Sequence, residues 1–166
     1  MHLKSVTGRS LLMAALVALP VISFAATPAA DLMKNLEVAA NDAADQASEL
    51  ESAALETNVS WEVHAHKLQA LKDDVNEIGR IVTRLDEMRS SLSPAALDTL
   101  DRVVPLAKNL AANSQSAIQF LNADQQNFWT PSYRKNIVTI ENESNQLAAM
   151  ASRAIALDKS RSRETR

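Results

Sequence analysis

Two histidines, His64 and His66, are the side chains of this sequence best suited to acid–base or metal chemistry. Imidazole titrates near neutral pH and is a common metal ligand. On a helix, positions i and i+2 do not share a face, so these two rings cannot hold one metal ion while their segment is helical. His64 falls on an apolar helix face, where a single histidine is usually a packed core residue. The sequence therefore predicts no metal site.

The requirements of a haem or di-iron site in a helical bundle are not met either. A haem needs two axial ligands that meet across the core, and Met88, in the same predicted helix as His64, lies about 24 residues or roughly 36 Å away. A di-iron carboxylate site uses Glu-x-x-His pairs. Here Trp61 stands three residues before His64, and Val63 three before His66. We therefore expect no cofactor.

Nucleophilic catalysis has no support in the residue pattern. The sequence contains no cysteine, no Gly-x-Ser-x-Gly elbow and no glycine-rich phosphate-binding loop. Ser114 and Ser144 occupy apolar positions of two helical patterns, where a hydroxyl commonly bonds to a carbonyl of the preceding turn. We expect that the protein is not an enzyme.

The composition predicts an all-α protein. The chain has 166 residues, enough for one domain with a substantial core, but only two glycines and five prolines. Folds made of hairpins and tight turns need more of both residues. Alanine, leucine, glutamine and glutamate are abundant, and all four favour helices.

Apolar residues at alternating spacings of three and four predict four helices, at about 29–56, 60–90, 94–122 and 131–158. The second helix has the clearest heptad pattern, typical of a coiled coil, through Trp61, His64, Leu68, Leu71, Val75, Ile78, Val82 and Leu85. The third pattern comprises Leu97, Leu100, Val104, Ala107, Ala111, Ser114, Ile118 and Leu121. The first helix carries a thin stripe composed mostly of alanine, which favours close approach of a neighbour.

Capping and breaking residues support these boundaries. Ser93-Pro94 and Thr130-Pro131 each place a capping side chain before a proline at the first helical position. Pro105 lies inside the third helix and is expected to bend it. Gly79 lies beside the apolar face of the second helix, and we expect it to allow close contact with the alanine-rich first helix.

Short connections between long helices predict an up-down-up-down four-helix bundle. An elongated helical hairpin that dimerises through the first helix is the alternative. In the bundle, the aromatic side chains beyond residue 25 all lie at one end, which we call the aromatic pole. Its candidate ligand-binding residues are Trp61, His64, Phe120, Phe128, Trp129, Tyr133 and Arg134.

The aromatic pole has two interpretations. In the first, the rings are a hydrophobic cap that fixes the loop between the third and fourth helices, because large rings bury much area while their polar atoms reach water. In the second, the rings line a pocket for a small ligand, haem or metal among the splayed helix ends. The first interpretation is the more common outcome for aromatic residues at helix ends.

Residues 1–25 are predicted to be a signal peptide. Lys4 and Arg9 precede an apolar stretch that ends at Ser23-Phe24-Ala25, which predicts cleavage between Ala25 and Ala26. The stretch is shorter than the roughly 20 residues that span a bilayer, although an uncleaved anchor is the alternative. We expect a periplasmic or secreted protein with a bundle over 26–158 and a basic, disordered tail over 159–166.

The charge distribution bears on the class of partner. Loss of Lys4 and Arg9 with the signal peptide lowers the formal charge from −3 to −5, which argues against a nucleic acid as partner. Absence of cysteine in an exported chain favours a bacterial envelope protein over a disulfide-rich secreted one. The sequence predicts a structural or protein-interaction module with a protein partner or self-association, and no membrane span after cleavage. A small-ligand-binding bundle is the alternative.

Overall fold

Four helices make up most of the chain that the structure, a computed structural model, describes, namely residues 28–53, 60–125 and 129–164. They are α1 (Pro28–Ala53), α2 (Trp61–Glu87), α3 (Pro94–Ala123) and α4 (Pro131–Glu164), with a short 3₁₀ turn at Arg89–Ser91. No strand occurs within these ranges. The all-α prediction is confirmed for them.

The four helices contact one another in a closed ring, because α2 packs between α1 and α3, and α4 packs between α3 and α1. Contacts near the helix ends give their directions. Lys67 at the start of α2 pairs with Glu49 near the end of α1. Ser93, before α3, bonds to Asp158 late in α4. Neighbouring helices are therefore antiparallel, as in an up-down-up-down bundle.

We call the end where α1 finishes and α2 begins the upper end, and the opposite end the lower end. α3 finishes and α4 begins at the upper end. Arg134 at the start of α4 reaches Glu51 near the end of α1, which places both at this level. Every residue of the predicted aromatic pole that the structure describes is thus at the upper end.

The core is built from the inner faces of all four helices. On α1 the thin alanine stripe is buried against the neighbouring helices of the same chain, so the first helix does not offer this face to a second molecule. Its buried residues are Met33, Leu36, Ala39, Ala40, Ala43, Ala44, Ala47, Leu50 and Ala53. Small side chains there let α4 and α2 approach closely, and larger aliphatic residues of those helices fill the space.

The sequence pattern of the fourth helix is buried throughout, at Tyr133, Ile137, Ile140, Ser144, Leu147, Ala151 and Ala154. The predicted face of α2 lies in the core, but the predicted face of α3 was partly wrong. Leu100, Ser114 and Leu121 are buried as expected, whereas Ala111 is exposed. The buried row of α3 includes positions one residue earlier than predicted, at Ala96, Val103, Leu110 and Ala117. The reason is that α3 contacts both α2 and α4, so its buried face is broader than one stripe.

Side-chain caps fix the starts of the last two helices. Ser93 Oγ accepts a hydrogen bond from the Ala96 amide at 3.2 Å, and Thr130 Oγ1 accepts one from the Tyr133 amide, also at 3.2 Å. Each satisfies an amide that has no partner within its own helix. The two cap-then-proline sequences therefore begin α3 and α4 where the sequence predicted.

Two sequence-based expectations were wrong. Gly79 does not touch α1: it is exposed, and a methyl group added there would meet nothing within 4 Å. The fourth helix does not end at Asp158 but continues as helix to Glu164, through residues 159–164 that were predicted to form a disordered tail. No glycine or proline interrupts this segment, and Ser162 Oγ donates a hydrogen bond to the Asp158 carbonyl at 2.9 Å.

Within the described ranges, no helix combines the length and the apolar character needed to cross a membrane. The predicted signal peptide and its cleavage site lie outside the described residues.

Candidate functional site

The centre of the aromatic pole is a cluster of three rings contributed by α2, α4 and the residue just before α4's cap. His64 and Trp129 have ring centroids 5.5 Å apart, Trp129 and Tyr133 5.3 Å, and His64 and Tyr133 6.1 Å. The tilted and edge-to-face angles are those that aromatic rings prefer. We call these three residues the ring cluster.

The helix starts explain how the ring cluster forms. The Thr130 cap and the proline after it fix the direction of α4, which places Tyr133 on the buried face one turn in. His64 stands about one turn into α2 on its buried face. Trp129 precedes the cap and lies over both rings. The tyrosine is 0% and the histidine 1% exposed.

The electrostatics of the ring cluster are those of a low-polarity interior. Burial lowers the pKa of His64, and the positive charge of Lys67 lowers it further. Burial also raises the pKa of Tyr133. The Tyr133 hydroxyl oxygen lies 3.5 Å from His64 Nδ1, a long hydrogen bond in which the neutral imidazole can accept. Both side chains therefore favour their uncharged forms.

The other candidate residues of the aromatic pole are not part of the ring cluster's buried interior. Trp61 is half-buried and packs against the core. Phe120 is 39% exposed. Arg134 is exposed and donates from Nε and Nη2 to Glu51 Oε1 at 3.3 and 2.8 Å. Phe128 lies outside the described residues. His66 is exposed, on a different face from His64.

This arrangement is suited to packing rather than to chemistry. The three rings touch one another, so a small molecule would have to separate them to bind between them. His64 is the one cluster member that could accept a proton at neutral pH, but it faces rings and Lys67. Among the described residues, no group of three or more His, Asp and Glu side chains could hold a metal ion.

A second feature, which sequence analysis missed, is a groove between the upper parts of α1 and α2. It has a volume of about 500 Å³ and is largely open to solvent. We call it the α1–α2 groove; it is lined by Asp45, Ser48, Glu49, Ser52, Ala53, Val63 and Lys67. The sequence signal was the acidic stretch of the first helix, but only the separation of two packed helices creates a groove.

The polar core residues form no site of their own. Ser144 is 0% exposed, and its Oγ has no hydrogen-bond partner among the described residues. Nearby on the surface of the same pair of helices, Asn113 Nδ2 donates to Glu143 Oε2 at 3.0 Å. Burial raises the pKa of Glu143, and this hydrogen bond opposes the shift. Among the described residues, Ser144 Oγ therefore has no hydrogen-bonded group that could take its proton.

Over the described residues the chain is all-helical, with four helices, a ring-packed upper end and an open groove between α1 and α2. Comparison of the chain with protein-family models, with curated proteins and with solved structures gives no match.

Proposed function

We propose that this protein is an exported, non-catalytic protein-interaction module of the bacterial cell envelope. The observation that carries the proposal is the α1–α2 groove. It is an open surface between α1 and α2. The inner faces of both helices are already packed in the core, so binding at the groove requires no rearrangement of the bundle.

The composition of the groove favours a protein partner. Asp45 provides negative charge, Glu49 and Lys67 form an ion pair across the groove at 2.6 Å, and Val63, which is 44% exposed, provides apolar area. Protein interfaces combine an apolar centre with a charged or polar rim. A pocket for a small ligand is instead concave and buries most of its ligand, which the open form of this groove does not provide.

The export part of the proposal is supported by the sequence of residues 1–25. The basic start, the apolar stretch and the Ser23-Phe24-Ala25 site are those of a signal peptide. Cleavage there would leave a chain that begins at Ala26, two residues before α1 begins at Pro28. The bundle would therefore be complete after cleavage.

In-cell photo-crosslinking tests the proposal. A crosslinking amino acid replaces Ser48 in the groove or, as the matched control, Gln119 on the exposed side of α3; both positions are helical and exposed. We expect a discrete protein adduct from position 48 and none from position 119. The intact mass of the purified protein is measured in parallel and is expected to start at Ala26.

Two results would contradict the proposal. Equal, diffuse crosslinking at both positions would remove the groove as an interaction surface. An intact mass that includes residues 1–25 would show that the segment is not cleaved, and the proposal of a free module would give way to that of an anchored one.

A further inference from the structure

The last turns of α4 extend beyond the bundle. Asp158, bonded to Ser93 at 2.8 Å, is half-buried, and every residue from Lys159 to Glu164 is exposed. We call residues 159–164 the α4 extension; its charged residues are Lys159, Arg161, Arg163 and Glu164. It is a helical, predominantly basic segment whose side chains do not contribute to the core.

The α1–α2 groove has the complementary charge. In its lining Glu49 pairs with Lys67, which leaves Asp45 as the acidic group available to a basic partner. Outside the lining, Asp42 of α1 and Asp73 and Asp74 of α2 lie close enough to one another for their charges to interact. Burial and the nearby charges of Asp42 and Asp73 raise the pKa of Asp74. Burial is the larger cause of this shift, and the repulsion from Asp42 and Asp73 adds to it, so the three carboxylates form one acidic cluster across α1 and α2.

The α4 extension cannot reach the groove of its own chain. The extension is at the lower end, whereas the groove lies along the last third of α1 at the upper end. α1 has 26 residues and is therefore roughly 39 Å long. A helix that continues α4 away from the bundle points away from that groove. A basic segment that fills the groove must come from another molecule.

We propose that the α1–α2 groove binds the α4 extension of a second copy of this chain. The inference rests on the proposed function, because it names the partner of the same groove. Lys159 and Arg163 would lie against Asp45 and the acidic cluster of α1 and α2, with the stems of these long side chains over the exposed Val63. Among the described residues, no ion pair involves Asp45, Lys159 or Arg163.

Each chain carries one groove and one extension at opposite ends. Two copies that lie antiparallel about a two-fold axis would therefore form this contact twice, and such a closed arrangement is the commonest in homo-oligomers. The contact is electrostatic and partly solvent-exposed, so its strength should fall as salt screens the charges.

Sedimentation velocity of the protein purified after export tests the proposal over micromolar to millimolar concentrations, at low and at high salt. We expect reversible self-association that weakens with salt. D45R and the double variant K159E/R163E should each weaken it by about tenfold or more, because each places like charges in contact. A 1:1 mixture of the two variants should associate again, since the groove of each variant is then opposite in charge to the extension of the other.

Matched charge reversals control for net charge. Asp98→Arg and Lys108→Glu change exposed residues of α3, a helix that neither lines the groove nor carries the extension, and should associate like the unchanged protein. Far-ultraviolet circular dichroism and a cooperative thermal transition show that each variant is folded. A monomer at every concentration, or two variants that remain monomeric when mixed, would overturn the proposal.

The crosslink at position 48 distinguishes the second-copy contact from the broader proposal of a protein-interaction module. An adduct with twice the chain's mass supports self-association. An adduct with a different protein, together with a monomer in sedimentation, overturns the second-copy contact and leaves the interaction module standing. No adduct overturns both.

Discussion

The upper and lower ends of the bundle are closed by different kinds of contact. At the upper end, Tyr133, His64 and Trp129 pack ring against ring, and two of them are fully buried. At the lower end, Ser93 links the start of α3 to Asp158, and the exposed Arg89 bonds to both Asp86 and Asp101. The closing contacts at the upper end bury aromatic rings, whereas these contacts at the lower end are polar and lie beside buried aliphatic residues such as Leu85 and Leu92.

This difference predicts unequal sensitivity to mutation. Burial of a large ring contributes several times more free energy than an exposed ion pair, because solvent screens the pair and its side chains lose entropy when they are held. At the upper end, α4 begins at Pro131, directly after Trp129 of the ring cluster and the Thr130 cap. Ring packing there holds the start of α4 against α2.

The largest effect is expected for Tyr133→Ala. It removes a side chain that is 0% exposed and leaves a cavity beside His64 and Trp129, which should lower the free energy of unfolding by about 3–5 kcal/mol. Chemical denaturation measures this. Phe120→Ala, at a ring that is 39% exposed on the same end, is the control and should cost much less. Equal losses for the two variants would mean that the ring cluster is not the closure of the upper end.

A smaller effect is expected at the lower end for Ser93→Ala. The variant loses the cap of the Ala96 amide and the bond to Asp158, so unfolding should require about 1 kcal/mol less. Ser60→Ala is the matched control, because Ser60 occupies the same position before α2 without a side-chain hydrogen bond to that helix's amides. If Ser93→Ala cost as much as Tyr133→Ala, the contrast between the two ends would fail.

The smallest effect is expected from protonation at the upper end. Burial lowers the pKa of His64 below its ordinary value of 6.5, so the folded state disfavours the charged ring more than the unfolded state does. The stability that the neutral ring contributes is complete above 6.5 and is lost as the pH falls from there through the folded-state pKa. Thermal unfolding between pH 8 and 5 (about the range in which histidine titrates) measures this loss. His64→Gln should remove the part of the pH dependence below 6.5; an unchanged profile would exclude His64 as its source.

Some sequence predictions needed only local physics, while others depended on neighbouring helices. Ser93 and Thr130 cap helices at the predicted places, because a cap is a contact between residues three positions apart. Gly79 was misplaced, because rotation about the helix axis by one position decides whether a residue faces α1 or solvent. The buried face of α3 is broader than predicted, because both α2 and α4 pack against it. The predicted end of α4 at Asp158 was wrong. The charged segment after Asp158 contains no glycine or proline that would end the helix.

The aromatic pole divides along the same line. The order of four antiparallel helices is enough to bring Trp61, His64, Phe120, Trp129 and Tyr133 to one end, and the structure places them there. The sequence does not predict that three of these rings pack together while Phe120 remains partly exposed. It was equally hidden that Arg134 pairs with Glu51 rather than joining a pocket.

Helix content, caps, chain direction and the end at which the rings gather follow from the sequence alone, because each depends on residues a few positions apart or on the order of helices along the chain. The rotation of each helix, the closing of the ring cluster and the α1–α2 groove depend on the tertiary structure. These are set by the distances between helix surfaces, and those distances depend on side chains contributed by residues far apart in the chain.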